Sequence, residues 1–361
     1  MIDPAAFARL LCGYCLDVRP GRQVLLRSTT LAAPLLLALQ REVLEREAWP
    51  LLRTAVPGQD EGFYASARDL QIDTVSAAAR AETEAADCFL SVDAPENTRA
   101  LADVDPEKLT RTRRASSELS EIRLARRWCR SIWPTPALAQ EAGLGLAAYT
   151  GFLERALFLD RPDPVAAWEE LSAGQAKLIE RLAPAEEIRI EAEGTDLRLR
   201  VGGRTWMNSD GKRNMPSGEV FTGPHEDGVE GRVRFTVPTG PPGIAVEGVE
   251  LELRGGEVVS ARADRGADHL ERALATDAGA RRLGELGIGT NFGIDRATGN
   301  ILLDEKMGGT VHLALGRSYR ETGGVNASAL HWDLICDLRA GGRLTADAVP
   351  IVEDGRLAGA T

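Results

Sequence analysis

No run of about eighteen apolar residues occurs in this chain of 361 residues, so it offers no candidate membrane-crossing helix. The first residues, Met1-Ile2-Asp3-Pro4-Ala5-Ala6-Phe7, lack the positive start and cleavage site of a secretory leader, and a cytoplasmic location is the expectation. Cysteine is sparse and odd in number: Cys12, Cys15, Cys88, Cys129 and Cys336 are scattered, which excludes a disulfide framework. Cys12 and Cys15 form a C-x-x-C, but within the amphipathic stretch Phe7 to Leu16 and with no second pair to complete a zinc site, so they read as core thiols. Positive charge is in deficit. A net charge of −11 argues against a nucleic-acid partner, which needs a concentrated basic surface. The most basic tract, Lys108 to Arg130, is interleaved with Glu118 and Glu121 and reads as a solvated helix laced with i,i+4 ion pairs. The glycine-rich Gly284-Glu285-Leu286-Gly287-Ile288-Gly289 lacks the Lys-Ser/Thr of a phosphate loop and carries an anion instead, so nucleotide binding is excluded there.

What is present is enough apolar residue, 43%, for two cores. The first half alternates helix and strand: a helix over 3–18, strands at 23–27, 49–53, 87–92 and 130–133, and helices at 34–48, 106–128 and 164–182. That spacing implies right-handed crossovers and a parallel sheet covered on both faces. After Leu182-Ala183-Pro184 the pattern becomes period-2, with a hairpin around Glu193-Gly194-Thr195-Asp196, strands at 230–237, 243–254 and 257–263, and one helix at 265–276. The expectation is an α/β domain over 1–184 followed by a mostly antiparallel, β-rich domain over 185–361.

Histidine is rare, four in the chain, and two of them frame the chemistry. In His331-Trp332-Asp333 an imidazole and a carboxylate leave the same face of a strand, because residues i and i+2 share a side. Four segments are rich in acid, histidine and glycine: Asn214 to Pro224 with Glu219, Leu283 to Asn291 with Glu285, Val311 to Tyr319 with His312, and His331 to Asp333. A carboxylate among apolar neighbours needs a partner, and a cation would serve. Two glutamates, two imidazoles and an aspartate suit zinc, cobalt, manganese or iron rather than an all-oxygen calcium or magnesium cage. His225, in a turn, and His269, on a polar helix, read as surface residues.

In this order the four segments resemble the thermophilic aminopeptidase family, the aminopeptidase T and aminopeptidase S group of dinuclear metallopeptidases, across about residues 213–335. The resemblance rests on Asn-x-Pro-x-x-Glu-Val-Phe-Thr, Gly-Glu, His-Leu-Ala-Leu-Gly-Arg-x-Tyr and His-x-Asp. It implies that Glu219, Glu285, His312, His331 and Asp333 hold two divalent cations (zinc, cobalt or manganese), with Glu285 as bridge and Tyr319 in a catalytic place. It further implies a peptide substrate, a metal-activated water, and a homodimer. Glu219, if the more loosely held ligand, would carry the water's proton, and Tyr319 would donate to the tetrahedral oxyanion. One departure points to a divergent branch: Asp304-Glu305 precedes His312 by a longer, glycine-containing stretch, which leaves both the position and the role of Glu305 at a metal site unset. The same fold type resembles ring-cleaving dihydroxypyridine dioxygenases, which implies an alternative with one ferrous iron; a metal- or peptide-binding homologue without turnover is a third reading.

Overall fold

The computed structural model describes residues 2–240 and 244–359. The chain packs as two compact units, residues 1–165 with 211–216, and 166–210 with 217–361. The helix Pro164–Leu182, placed by sequence ahead of a boundary at 184, contributes most of its length to the second unit, because Leu178 and Leu182 pack in the same core as Ile188 and Ile190. Among the described residues no helix is long and apolar enough to cross a membrane.

The first unit is built on a parallel sheet of β1 (Gln23–Thr29), β2 (Trp49–Ala55), β3 (Cys88–Asp93) and β4 (Arg127–Ile132), with the two-residue β8 (Asn214–Met215) at the edge, in the order β2-β1-β3-β4-β8. Val24, Leu25 and Leu26 are consecutive and all buried, as a parallel strand covered on both faces requires. The first helix, Pro4–Leu10, has Asp3 as cap and runs into a π-helical turn, Leu11–Cys15, whose Cys12 and Cys15 are both buried. The basic tract forms two helices, Pro106–Ala115 and Ser117–Leu124, and several of its charges pair between elements: Arg111 with Asp69 and Asp73, Glu118 with Arg80. Two further helices are Pro136–Glu141 and Leu146–Ala156, and the second buries Tyr149, Phe152, Leu153 and Ala156 at helical spacing.

The second unit holds two antiparallel sheets. The larger comprises β5 (Glu187–Ala192), β6 (Thr195–Arg200), β10 (Val229–Arg234), β11 (Glu250–Arg254), β12 (Glu257–Arg262), β16 (Arg343–Ala346), β17 (Val349–Glu353) and β18 (Arg356–Leu357), in the order β12-β11-β10-β6-β5-β16-β17-β18. β6 alternates buried and exposed residue by residue, the signature of a sheet with one wet face. The smaller comprises β7 (Met207–Ser209), β9 (Glu219–Thr222), β13 (Leu283–Gly289), β14 (Thr310–Gly316) and β15 (His331–Asp337), in the order β15-β14-β13-β9-β7. One face of this sheet gives Val220, Leu286, Ile288, Val311, Leu313 and Leu334 to a core shared with Ile190, Leu199 and Val233 of the larger sheet. Every residue of β13 and β14 is nevertheless buried, so the opposite face is covered too, and that face carries the acids and imidazoles.

Candidate metal centre

Four neighbouring strands bring the five sequence-derived residues together. Glu219 opens β9, Glu285 is third in β13, His312 third in β14, and His331 and Asp333 are first and third in β15. The register sets each against a small neighbour: Glu219 opposite Gly289, His312 opposite Gly287, Asp333 and Glu285 opposite Ala314, His331 opposite Gly316. A side chain at Gly287 would place its Cβ 2.0 Å from His312 Cε1, so the glycine vacates the space that the imidazole fills. The register shifts between Leu283 and Glu285, a bulge at Gly284. In an unbroken strand those two residues would share a face; the extra residue lets Leu283 enter the core while Glu285 turns to the site. The glycines of this segment therefore serve strand packing and access, not a phosphate.

The ligand atoms fall into two overlapping groups, Glu219-Glu285-His312 and Glu285-His331-Asp333, each with atoms within 4.8 Å of one another. His312 Nε2 lies 3.4 Å from Glu219 Oε2 and 3.4 Å from Glu285 Oε1. His331 Nε2 lies 3.4 Å from Glu285 Oε2 and 3.7 Å from Asp333 Oδ2. The two oxygens of Glu285 thus face different imidazoles. His331 Nδ1 donates to the Arg317 carbonyl oxygen at 2.9 Å, which fixes the tautomer and turns Nε2 inward. Glu219 Oε2 and Asp333 Oδ1 are buried with no hydrogen-bond donor. Buried carboxylate oxygens in that condition, beside neutralisable imidazoles, fit a divalent transition cation by donor type.

The electrostatics of the cation-free chain agree. Burial raises Glu219 above the usual carboxylate range, partly offset by Lys306. Burial, reinforced by the charges of Glu305 and Glu285, pushes Asp333 up to about 7. Glu285 ends at about 2, because hydrogen bonds and charge from His312 and His331 outweigh its burial. Burial alone would lower both imidazoles, yet the carboxylates raise His312 to about 10 and His331 to about 9. Protons on the imidazoles do there what cations would do: they offset the buried negative charge.

Tyr319 lies at the edge of the cluster, its ring edge-on to His331 at 5.2 Å and to Phe221 at 5.6 Å. Although 39% of Tyr319 is exposed, desolvation and then the nearby carboxylates raise its hydroxyl above the ordinary value. The two remaining histidines lie apart from the cluster, but neither is simply a surface residue. His225 Nε2 is 2.8 Å from the Gly202 carbonyl oxygen, and His269 is half-buried edge-on to Trp332. Lys306 was not visible as a site residue in the sequence. It is fully buried, 3.4 Å from Glu219 Oε1 and in contact with Glu305 Oε1. The one sequence signal of its burial is the apolar company of Leu302, Leu303 and Met307. Gln175 was missed as well: its Nε2 donates to the Glu219 carbonyl oxygen at 2.8 Å and holds β9 in place from the long helix.

A description of the thermophilic metalloprotease (M29) family matches residues 4–357 of the chain. Aminopeptidase 2 of Geobacillus stearothermophilus is 31% identical over 378 residues, covering 91% of this chain and 90% of that protein. Aminopeptidase T of Thermus thermophilus is 32% identical over 251 residues, 62% of this chain and 61% of its own length. Among solved structures, wild-type AmpT from Thermus thermophilus matches with a TM-score of 0.83 at 25% identity, over 98% of this chain and 99% of that one. The 2,5-dihydroxypyridine dioxygenase of Pseudomonas putida KT2440 shares the fold at a TM-score of 0.58 and 16% identity, over 99% and 96%. With a match running from residue 4 to residue 357 and a like fold throughout, the chain belongs to the thermophilic metalloprotease (M29) family.

Proposed function

We propose that this chain is an aminopeptidase that uses two divalent cations, zinc, cobalt or manganese, to hydrolyse the first peptide bond of a peptide. The observation that carries the reading is that Glu285 belongs to both candidate ligand groups, one oxygen toward each imidazole. A single-ion site would not need that sharing. Glu219 and His312 would complete one position, His331 and Asp333 the other. Cations held there would lower the pKa of a water toward neutrality and would polarise the scissile carbonyl. Glu219, whose burial raises its proton affinity, takes the water's proton and passes it to the leaving amine. Tyr319 keeps its proton well above neutral pH, so it donates to the oxyanion of the tetrahedral intermediate. His331 is kept in the ligating tautomer by the Arg317 carbonyl. The relatives named above are aminopeptidases, which supports action at a free N-terminus.

The test is metal analysis of protein purified without chelator, with hydrolysis of a Leu-containing dipeptide and of its N-acetylated form. Two ions per chain and release of leucine only from the free amine are expected. One iron per chain with oxygen uptake would replace this reading by the dioxygenase, whose fold is shared. A homodimer in solution is part of the proposal; a single-chain mass in light scattering would remove it.

A further inference from the structure

Lys306 has no place in the chemistry above, yet it is one of only four lysines in the chain and none of its surface is exposed. A buried ammonium persists only where partners offset its desolvation. Here those partners are Glu219 Oε1, at 3.4 Å, and Glu305 Oε1, with the charge of Asp333 adding to their effect.

The backbone beneath it is fixed from several sides. Lys306 N donates to the Leu303 carbonyl at 3.0 Å, and Asn291 N donates to the Lys306 carbonyl at 3.1 Å. Buried Asp304 accepts from Thr298 N at 2.8 Å, Thr298 Oγ1 at 2.7 Å and Gly299 N at 2.9 Å. Gly289, the residue opposite Glu219, has no side chain where a Cβ would come 2.0 Å from the Met307 carbonyl oxygen, so this segment sits directly on the strand. Glu219 is held by its own carbonyl through Gln175, which leaves its carboxylate as the part free to choose partners.

We propose that Lys306 is a positioning residue that restricts Glu219 to one available oxygen. The inference rests on the two-cation reading of this site. The ammonium engages Oε1; Oε2, buried and without a donor, is left facing His312 Nε2 at 3.4 Å. Glu219 then offers a cation Oε2 alone and stays loosely enough held to carry a proton. Without the ammonium, both oxygens are free to chelate and a like charge is gone. Each change tightens the cation, and chelation fills the position that a catalytic site keeps open for water.

Zinc affinity of Lys306→Met and Lys306→Gln, measured by competition with a chromophoric chelator, tests this beside kcat and KM on a Leu dipeptide. The expected result is zinc bound roughly tenfold or more tighter, from the lost repulsion and the added bond, with kcat reduced and KM little changed. In Lys306→Ala, ethylammonium added to the buffer returns the zinc affinity toward that of the native chain. Zinc affinity unchanged or weakened in the variants, with only thermal stability lowered, assigns Lys306 a structural role and overturns the proposal. Affinity is read without turnover. Failure of the peptidase reading appears as no hydrolysis by the native chain, and failure of the lysine assignment as unaltered zinc binding.

Discussion

Gly287→Ala probes the site with one methyl group and no change of charge. The glycine lies in β13 with no left-handed backbone requirement, so the substitution acts through space alone. Its Cβ would fall 2.0 Å from His312 Cε1, 2.1 Å from Nε2 and 2.8 Å from Nδ1. Ordinary carbon contact begins near 3.5 Å, so the ring must retreat by about 1.5 Å. Metal–ligand distances tolerate about 0.2 Å. His312 is buried on a central strand, and a retreat of that size removes Nε2 from the Glu219-Glu285 side. Overpacking of this kind costs about 1–3 kcal/mol of stability. The variant is therefore expected to fold, to keep one zinc per chain instead of two, and to lose roughly a hundredfold or more in kcat/KM, the scale of a misplacement near 1 Å. Zinc content by mass spectrometry and dipeptide hydrolysis are the assays. Two zinc ions and undiminished turnover in folded Gly287→Ala would refute the steric reasoning and the role given to His312.

Other perturbations follow from the same geometry. Tyr319→Phe keeps the ring against His331 and Phe221 but removes the donor, so kcat should fall about a hundredfold with zinc content unchanged; unaltered kcat would remove the oxyanion role. Gly174→Ala, exposed in the long helix with nothing within 4 Å of the new methyl, should raise stability by up to about 1 kcal/mol and leave zinc binding alone; a lower melting temperature would contradict the helix packing. Charge linkage sets a pH dependence. His312 and His331, raised to about 10 and about 9 from 6.5, stabilise the cation-free chain fully below about pH 6.5 and lose that contribution as pH passes through 9 to 10. Asp333, raised to about 7 from 3.8, also loses stability as pH rises, from a lower start, whereas Glu285, held at about 2, is ionised throughout this window. Chelator-treated protein should thus melt lower at pH 9 than at pH 6.5. The rise in melting temperature produced by zinc should grow over the same interval, because ligation needs unprotonated imidazoles. A zinc increment that is flat with pH would sink the linkage.

The sequence carried the architecture where period and composition were strong. Gln23 to Arg27 and Trp49 to Arg53 lie within parallel strands, and the hairpin at Glu193 to Asp196 joins β5 to β6. His-x-Asp on one strand face and single glutamates among glycines were legible because strand geometry converts spacing into direction. Less legible were features set by tertiary contact. The service of Gly287 to His312 depends on a neighbour 25 positions on, and nothing local in Gly-Ile-Gly announces it. The helix at 136–141 is too short to show a period, whereas that at 146–156 does carry one in Tyr149, Phe152, Leu153 and Ala156, and the helix ending at Leu182 packs with the core that follows it. Lys306 shows the limit most clearly: burial of an ammonium is decided by the two carboxylates that meet it, and only one of them, Glu305, is near in sequence.

Counting zinc on intact protein by native mass spectrometry, for the native chain beside His312→Ala, Asp333→Ala and Glu285→Gln, tests the shared-carboxylate centre most directly. The account predicts two ions in the native chain, one in each of the first two variants and none in the third, since Glu285 belongs to both positions. Two ions retained by Glu285→Gln, or a single ion in the native chain at saturating zinc, would contradict it.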